Sequence, residues 1–151
     1  MASKQSREIY RNCRDQILHI VGHRRAMGSD EIETLCRALF GSKFKGVTDS
    51  GHFKNPVPGY YILNTAYSAK SNGVHWISCV VHGKIIYVFD SYGRSSTILI
   101  NHLEKMVDNS KYDLIDINHE PFQRNSNICG QLSIAFLSMV DLYGLPAATL
   151  V

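Results

Sequence analysis

The stretch "QRNSNICGQLSIAFL", residues 123–137, sets one cysteine between a polar loop and an apolar run. If a helix starts at Cys129, its thiol lies in the field of unpaired N–H groups, which favours thiolate over thiol. That is the setting of a sulfur nucleophile. The competing reading is a small buried residue that fills space, the commoner fate of a lone cysteine. Gly130 would let backbone approach a substrate carbonyl and leave the Cys129 N–H free to donate to an oxyanion. It also suits tight helix–sheet packing.

A cysteine nucleophile works with a histidine. Of the seven histidines, His75 stands near the start of the strand-like "GVHWISCVV", after Asn72-Gly73. Its ring can reach the edge of a sheet, with Trp76 on the opposite face or flanking the site. The alternative is a half-exposed strand histidine. His19, His23, His52, His82, His102 and His119 fall on helix surfaces or in loops. A third group should orient the imidazole, and "YVFDSYG" offers Asp90. With a hairpin turn at His82-Gly83, His75 and Asp90 are equally far from the turn, and antiparallel pairing places them roughly opposite each other. Asp90 would serve equally to start an Asp-Ser-Tyr-Gly turn. Gln123, in the loop before Cys129, carries an amide able to donate to an oxyanion.

The elements that must hold these groups follow from periodicity. Residues 6–21 read as a helix through Ile9, Cys13, Ile17, Ile20 and Val21, stopped by Gly22. "HRRAMG" is a linker. Ser29 or Asp30 caps a second helix, with Glu33 as the box partner of Asp30 and Ile32, Leu35, Cys36 and Leu39 on one face. "GVTDSGHFKNPVPG" is a loop. "YYILNT", "VHWISCVV", "KIIYVFD" and "YDLIDI" are strands, "TILINHLEKMV" is a helix, and "ICGQLSIAFLSMVDLYG" is a buried central helix ended by Gly144. The sum is an α+β domain.

At 151 residues, 44% hydrophobic and 19% charged, the chain suits one ordinary globular domain. No apolar run approaches the ~18 residues that span a bilayer. The N-terminus lacks an apolar secretory core, so an intracellular or virion-enclosed, non-secreted protein with no membrane partner is expected. Cys13, Cys36, Cys79 and Cys129 form no C-x-x-C pair and read as free thiols. Lys4, Arg7, Arg11, Arg14, Arg24 and Arg25 against Glu8 and Asp15 give residues 1–28 a charge of +4, and the remainder carries −1. Basicity belongs to the N-terminal arm, where Arg7, Arg11, Arg14, Arg24 and Arg25 are candidate DNA contacts.

"ILNTA…GVHW", "YVFDSYG" and "FQRNSNICGQLSIAFL" resemble, in that order, the adenain family, the cysteine proteases of adenoviruses and related elements such as virophages. More distantly the pattern is similar to the ubiquitin-like-protein proteases of the same clan. The likeness covers roughly residues 29–142. It implies a small mixed or antiparallel sheet packed on a buried central helix carrying the nucleophile. The protease domain is then 29–151, with 1–28 a basic helical extension that packs on the core or binds DNA. By the same resemblance His75 is the general base, Asp90 its orienting acid, Gln123 an oxyanion donor and Cys129 the nucleophile. Trp76 packs near the site, and Gly73 and Gly130 flank it.

The implied activity is an endopeptidase that cuts viral capsid or core precursors at small, glycine-containing sites during virion maturation. It is expected in the virion or the infected cell, as a monomer. The chemistry requires no cofactor or metal, and activation by DNA or a viral peptide is the family's habit. Two departures stand out. Adenain has Glu where this chain has Asp90, and the region "KYDLIDI" lacks the cysteine through which adenain is disulfide-linked to its activating peptide. Adenain also runs well past its nucleophile helix, so the resemblance implies either a truncated chain or a minimal enzyme here.

The alternatives are a ubiquitin-like-modifier isopeptidase, an acyltransferase using the same site, and a nucleic-acid-binding module without catalysis. A zinc site from Cys13, His19 and His23 lacks an evident fourth ligand.

Overall fold

A polar residue, Ser3, opens the first helix earlier than its apolar spacing suggests. In a computed structural model describing residues 2–65, 75–96, 112–123 and 126–151, α1 spans Lys4–Val21, and the Ser3 side chain accepts from the Ser6 N–H at 3.2 Å. Gly22, at φ 79°, ends it by donating its N–H to Leu18 O. Tyr10, Cys13 and Ile17 form the buried face.

Helix α2 covers Ser29–Phe40. Its N-cap is Gly28, and neither Ser29 nor Asp30 caps it by a side chain. Both lie inside the first turn, where Asp30 meets the positive helix end. Glu33 is not a capping-box partner. It accepts from Arg37 Nε at 2.9 Å and from the Val47 N–H at 3.2 Å, tying α2 to the sheet.

That sheet has five strands in the order β1 (Phe44–Asp49), β2 (Gly59–Asn64), β3 (Trp76–His82), β4 (Ile85–Phe89) and β5 (Asp113–Asp116). The two central pairings are antiparallel, and β1 and β5 run parallel to their neighbours, so the sheet is mixed. Part of the expected loop 46–59 is therefore strand. β1 pairs Val47 with Ile62 and Asp49 with Asn64 across a register shift near Gly46. Only Phe44 of this strand is fully buried, which leaves no clear alternation to read. The β3–β4 turn falls at Gly83-Lys84, with Gly83 at φ 58° and His82 opposite Ile85, one residue later than expected.

β3 is buried from Trp76 to Val81, as a central strand covered on both faces must be. Trp76 and Val80 join the helical core, while Ile77, Cys79 and Val81 join a second cluster with Phe53, Leu63 and Val88. Helix α3 (Cys129–Tyr143) lies in the larger core, apolar nearly all round and ended by Gly144; α4 (Leu145–Ala148) follows. Phe136 stacks on Phe89 with centroids 4.7 Å apart, and the Tyr10 hydroxyl donates to Leu132 O at 2.9 Å. Helix α1 thus shares one core with α3. The Ser3 N–H also donates to Leu150 O at 2.6 Å. The fold is α+β, a mixed sheet packed with helices. None of the described helices is long and apolar enough to cross a membrane. The expected helix over 97–107 lies outside the described residues.

Candidate active site

Antiparallel pairing of β3 with β4 brings Ser78 opposite Phe89. One further step puts Ile77 opposite Asp90, so His75 and Asp90 are diagonal and not directly opposed. The turn, displaced by one residue, moved the register by two, and a shift of two keeps every side chain on its face. The pair still meets: His75 Nε2 lies 2.5 Å from Asp90 Oδ1. His75 precedes β3 and is not bound to its alternation, so its ring also comes near enough to the Cys129 side chain at the start of α3 for each to shift the other's pKa.

Asp90 is held from several sides. Oδ1 accepts from the Tyr92 N–H at 3.3 Å, and Oδ2 accepts from the Arg94 N–H at 2.9 Å and Arg94 Nε at 3.1 Å. Asn118 Nδ2 donates to its carbonyl at 2.7 Å, and Gly93 closes the turn onto the same oxygen at 2.8 Å. Asp90 therefore both starts its turn and meets the histidine. Its side chain is 1% exposed. Burial alone would raise its pKa, but the hydrogen bonds from His75 and Arg94 outweigh that and bring it to about 2. Tyr92 packs its ring 5.2 Å from that of His75, with the Arg94 guanidinium on it at 5.0 Å.

Burial likewise lowers the His75 pKa, yet hydrogen bonds to Asp90 and Cys129 leave it above its ordinary value. Cys129 is the first residue of α3 and nearly buried. Burial pushes its thiol up, and the His75 hydrogen bond and charge, with N–H groups of Trp76 and Gly130, more than reverse this. The Trp76 N–H stands 3.4 Å from Sγ. The other thiols go the opposite way. Burial raises Cys13, takes Cys36 to about 12 and Cys79 higher still. All four are free. Cys129 is the one whose surroundings favour thiolate.

Gln123 is buried. Its Oε1 accepts from the Ser91 hydroxyl at 2.5 Å, and its Nε2 donates to Ser126 O at 2.5 Å. Gly130 has a packing reason of its own: a Cβ there would stand 3.2 Å from Met27 Cβ and 3.3 Å from its sulfur. Met27 O in turn accepts from Trp76 Nε1 at 2.9 Å. Met27, Val47, Asp49, Asn64 and Trp76 wall an open cleft of about 460 Å³, and Trp76 also meets Cys129 through its N–H. Gly73 lies outside the described residues.

Of the arginines singled out for DNA, Arg7 pairs with Glu120 at 2.8 Å and lies over Phe122, and Arg14 pairs with Asp15 at 3.0 Å. Arg11, Arg24 and Arg25 are exposed. Cys13 is buried in the core and His23 pairs with Glu31 at 2.6 Å. Among the described residues no three His, Cys, Asp or Glu side chains gather as metal ligands.

Sequence reasoning missed Ser91, Tyr92, Arg94, Asn118 and Met27. The first three had a signal, since they sit in the turn that Asp90 begins. Asn118 and Met27 had none, because their roles depend on distant backbone. No protein-family model and no curated protein matches the sequence.

Proposed function

We propose that the protein is a cysteine endopeptidase of the adenain kind. The observation that carries the reading is the linked trio Asp90, His75 and Cys129, in which the thiol is drawn toward thiolate and the imidazole toward imidazolium. Cys129 sulfur attacks the scissile carbonyl carbon, and the carbonyl π electrons move to oxygen. The Cys129 N–H and Gln123 amide stabilise that oxyanion. Collapse breaks the C–N bond, and the departing amine takes the proton of His75. Water then attacks the thioester and gives a proton to His75, and the freed carboxylic acid leaves Cys129 as thiolate. Viral precursor substrates cut beside glycine, a virion setting and activation by DNA or a peptide follow from the family resemblance.

The test is cleavage of peptide libraries by the purified full chain and by Cys129→Ala. Cleavage beside small residues that Cys129→Ala abolishes is expected. Turnover undiminished in Cys129→Ala ends the reading. A preference for a diglycine-ended ubiquitin-like fusion over precursor peptides would move it to the modifier isopeptidases.

A further inference from the structure

We propose that Ser91 is a positioning residue for the oxyanion donor: its hydroxyl fixes which way the Gln123 amide faces, so that nitrogen and not oxygen is presented at Cys129. The inference rests on the proteolytic reading and deepens it. Ser91 is 0% exposed and Gln123 4%. Amide nitrogen and oxygen are similar in size, and only their partners tell them apart. A backbone carbonyl can only accept, so the atom facing Ser126 O must be nitrogen. Oε1 then faces Ser91, where a hydroxyl can donate to it. A buried amide oxygen without that donor would turn elsewhere.

The same turn thereby serves both arms of the site. Asp90 holds the imidazole, and Ser91 holds the amide. The Tyr92 hydroxyl reaches the Ser126 carbonyl that the amide also uses, at 3.4 Å. The Phe122 N–H donates to Ser91 O at 2.7 Å, anchoring the turn to the segment that carries Gln123. One amide hydrogen goes to Ser126 O, and we assign the other to the oxyanion formed at Cys129.

The experiment is a double-mutant cycle with Ser91→Ala, Gln123→Ala and the pair. It is read by turnover of a fluorogenic glycine-containing peptide and by iodoacetamide alkylation of Cys129 across pH. Ser91→Ala should lower kcat about tenfold, leave KM within about twofold and leave the alkylation profile unmoved. Gln123→Ala should cost about a hundredfold or more, and the double variant should match it. Hydrogen exchange of the Gln123 side-chain amide, followed by NMR, should quicken about tenfold in Ser91→Ala. If Ser91→Ala fails to fold, Ser91→Cys, a poorer donor of similar size, carries the same cycle. Effects that multiply in the double variant, unchanged amide exchange, or a parallel loss of thiol reactivity would overturn the assignment. A wild-type chain that turns over no peptide would instead end the proteolytic reading, and the exchange rates would still report whether Ser91 holds Gln123.

Discussion

The backbone N–H of Trp76 donates to Cys129 Sγ at 3.4 Å, so the residue after the imidazole is tied to the sulfur it serves. Trp76 is also held by its neighbours. Its carbonyl accepts from Ser133 Oγ at 3.0 Å and its indole N–H reaches Met27 O. The start of β3 and the first two turns of α3 are therefore tied together, and the distance between His75 and Cys129 is set by main chain as well as side chains.

Selective alkylation follows from this arrangement. Cys129 is lowered below the ordinary thiol value of 9.0, while Cys36 and Cys79 are raised and buried. A limiting dose of iodoacetamide at pH 7 should modify Cys129 first, as read by peptide mass spectrometry. His75→Ala removes the hydrogen bond and charge that oppose burial, and should slow that modification at least about tenfold. Equal labelling of all four cysteines in the native protein would contradict the geometry.

Asp90→Asn should narrow the active pH range. Turnover rises as Cys129 loses its proton, below the free-thiol value of 9.0, and falls as imidazolium is lost, above the free value of 6.5. Removing the Asp90 charge lowers the His75 pKa, so the alkaline limb of kcat/KM moves to lower pH. Stability has its own signature. The Asp90 pKa is depressed in the folded chain, so its contribution is present above about pH 4 and lost as pH falls toward 2. It amounts to about 2 kcal/mol. Urea titrations at pH 5 and pH 2.5 should show that loss in the wild type, and a smaller one in Asp90→Asn.

Gly130→Ala tests the contact with Met27. Alanine is the better helix former by about 1 kcal/mol, but its Cβ would press on Met27 at 3.2 Å. Overpacking of this kind costs about 1–3 kcal/mol. The variant should melt at lower temperature and turn over more slowly, because a displaced Met27 drags Trp76 with it. Met27→Ala in the same chain removes the crowding Cγ and sulfur and should restore part of the loss.

Tyr10→Ala should cost about 3–5 kcal/mol, the range for a large aromatic removed from a core. Tyr10 is fully buried, packs against Phe89 and Phe122, and donates to Leu132 O. Chemical denaturation should show a lower midpoint with little change in slope. Removing residues 1–28 outright should be still more damaging, so DNA effects are better sought with Arg11, Arg24 and Arg25 variants, whose side chains are exposed.

Helix periodicity was legible wherever one face is buried. Cys13 and Ile17 mark the buried face of α1, although Ile20, read with them, is exposed and Tyr10 takes a place in the core, and the largely apolar run marks α3. Capping was less so: Ser29 and Asp30 are both competent N-caps, yet α2 starts earlier, with Gly28 at its N-cap. β1 escaped notice because its partner, β2, lies beyond a loop and runs parallel, with no hairpin to betray the pairing. The His75–Asp90 relation survived a misplaced turn because a two-residue register change preserves faces. Ser91 sits in a turn that the sequence does signal, but its partner Gln123 lies 32 residues on. A turn residue's type says that it can hydrogen-bond, not which distant oxygen it will meet.

Cys129 opens the last long helix, and the partners that acidify it lie at 75 and 76. Its helix is seated by Tyr10, 122 residues from Leu132. During synthesis on the ribosome His75, Trp76 and Asp90 emerge first and Cys129 much later. Until α3 packs between α1 and the sheet, Cys129 lacks the partners that lower its pKa. The pull toward thiolate is thus gained only when α3 seats against the start of β3, and an unfolded nascent chain exposes no acidified thiol.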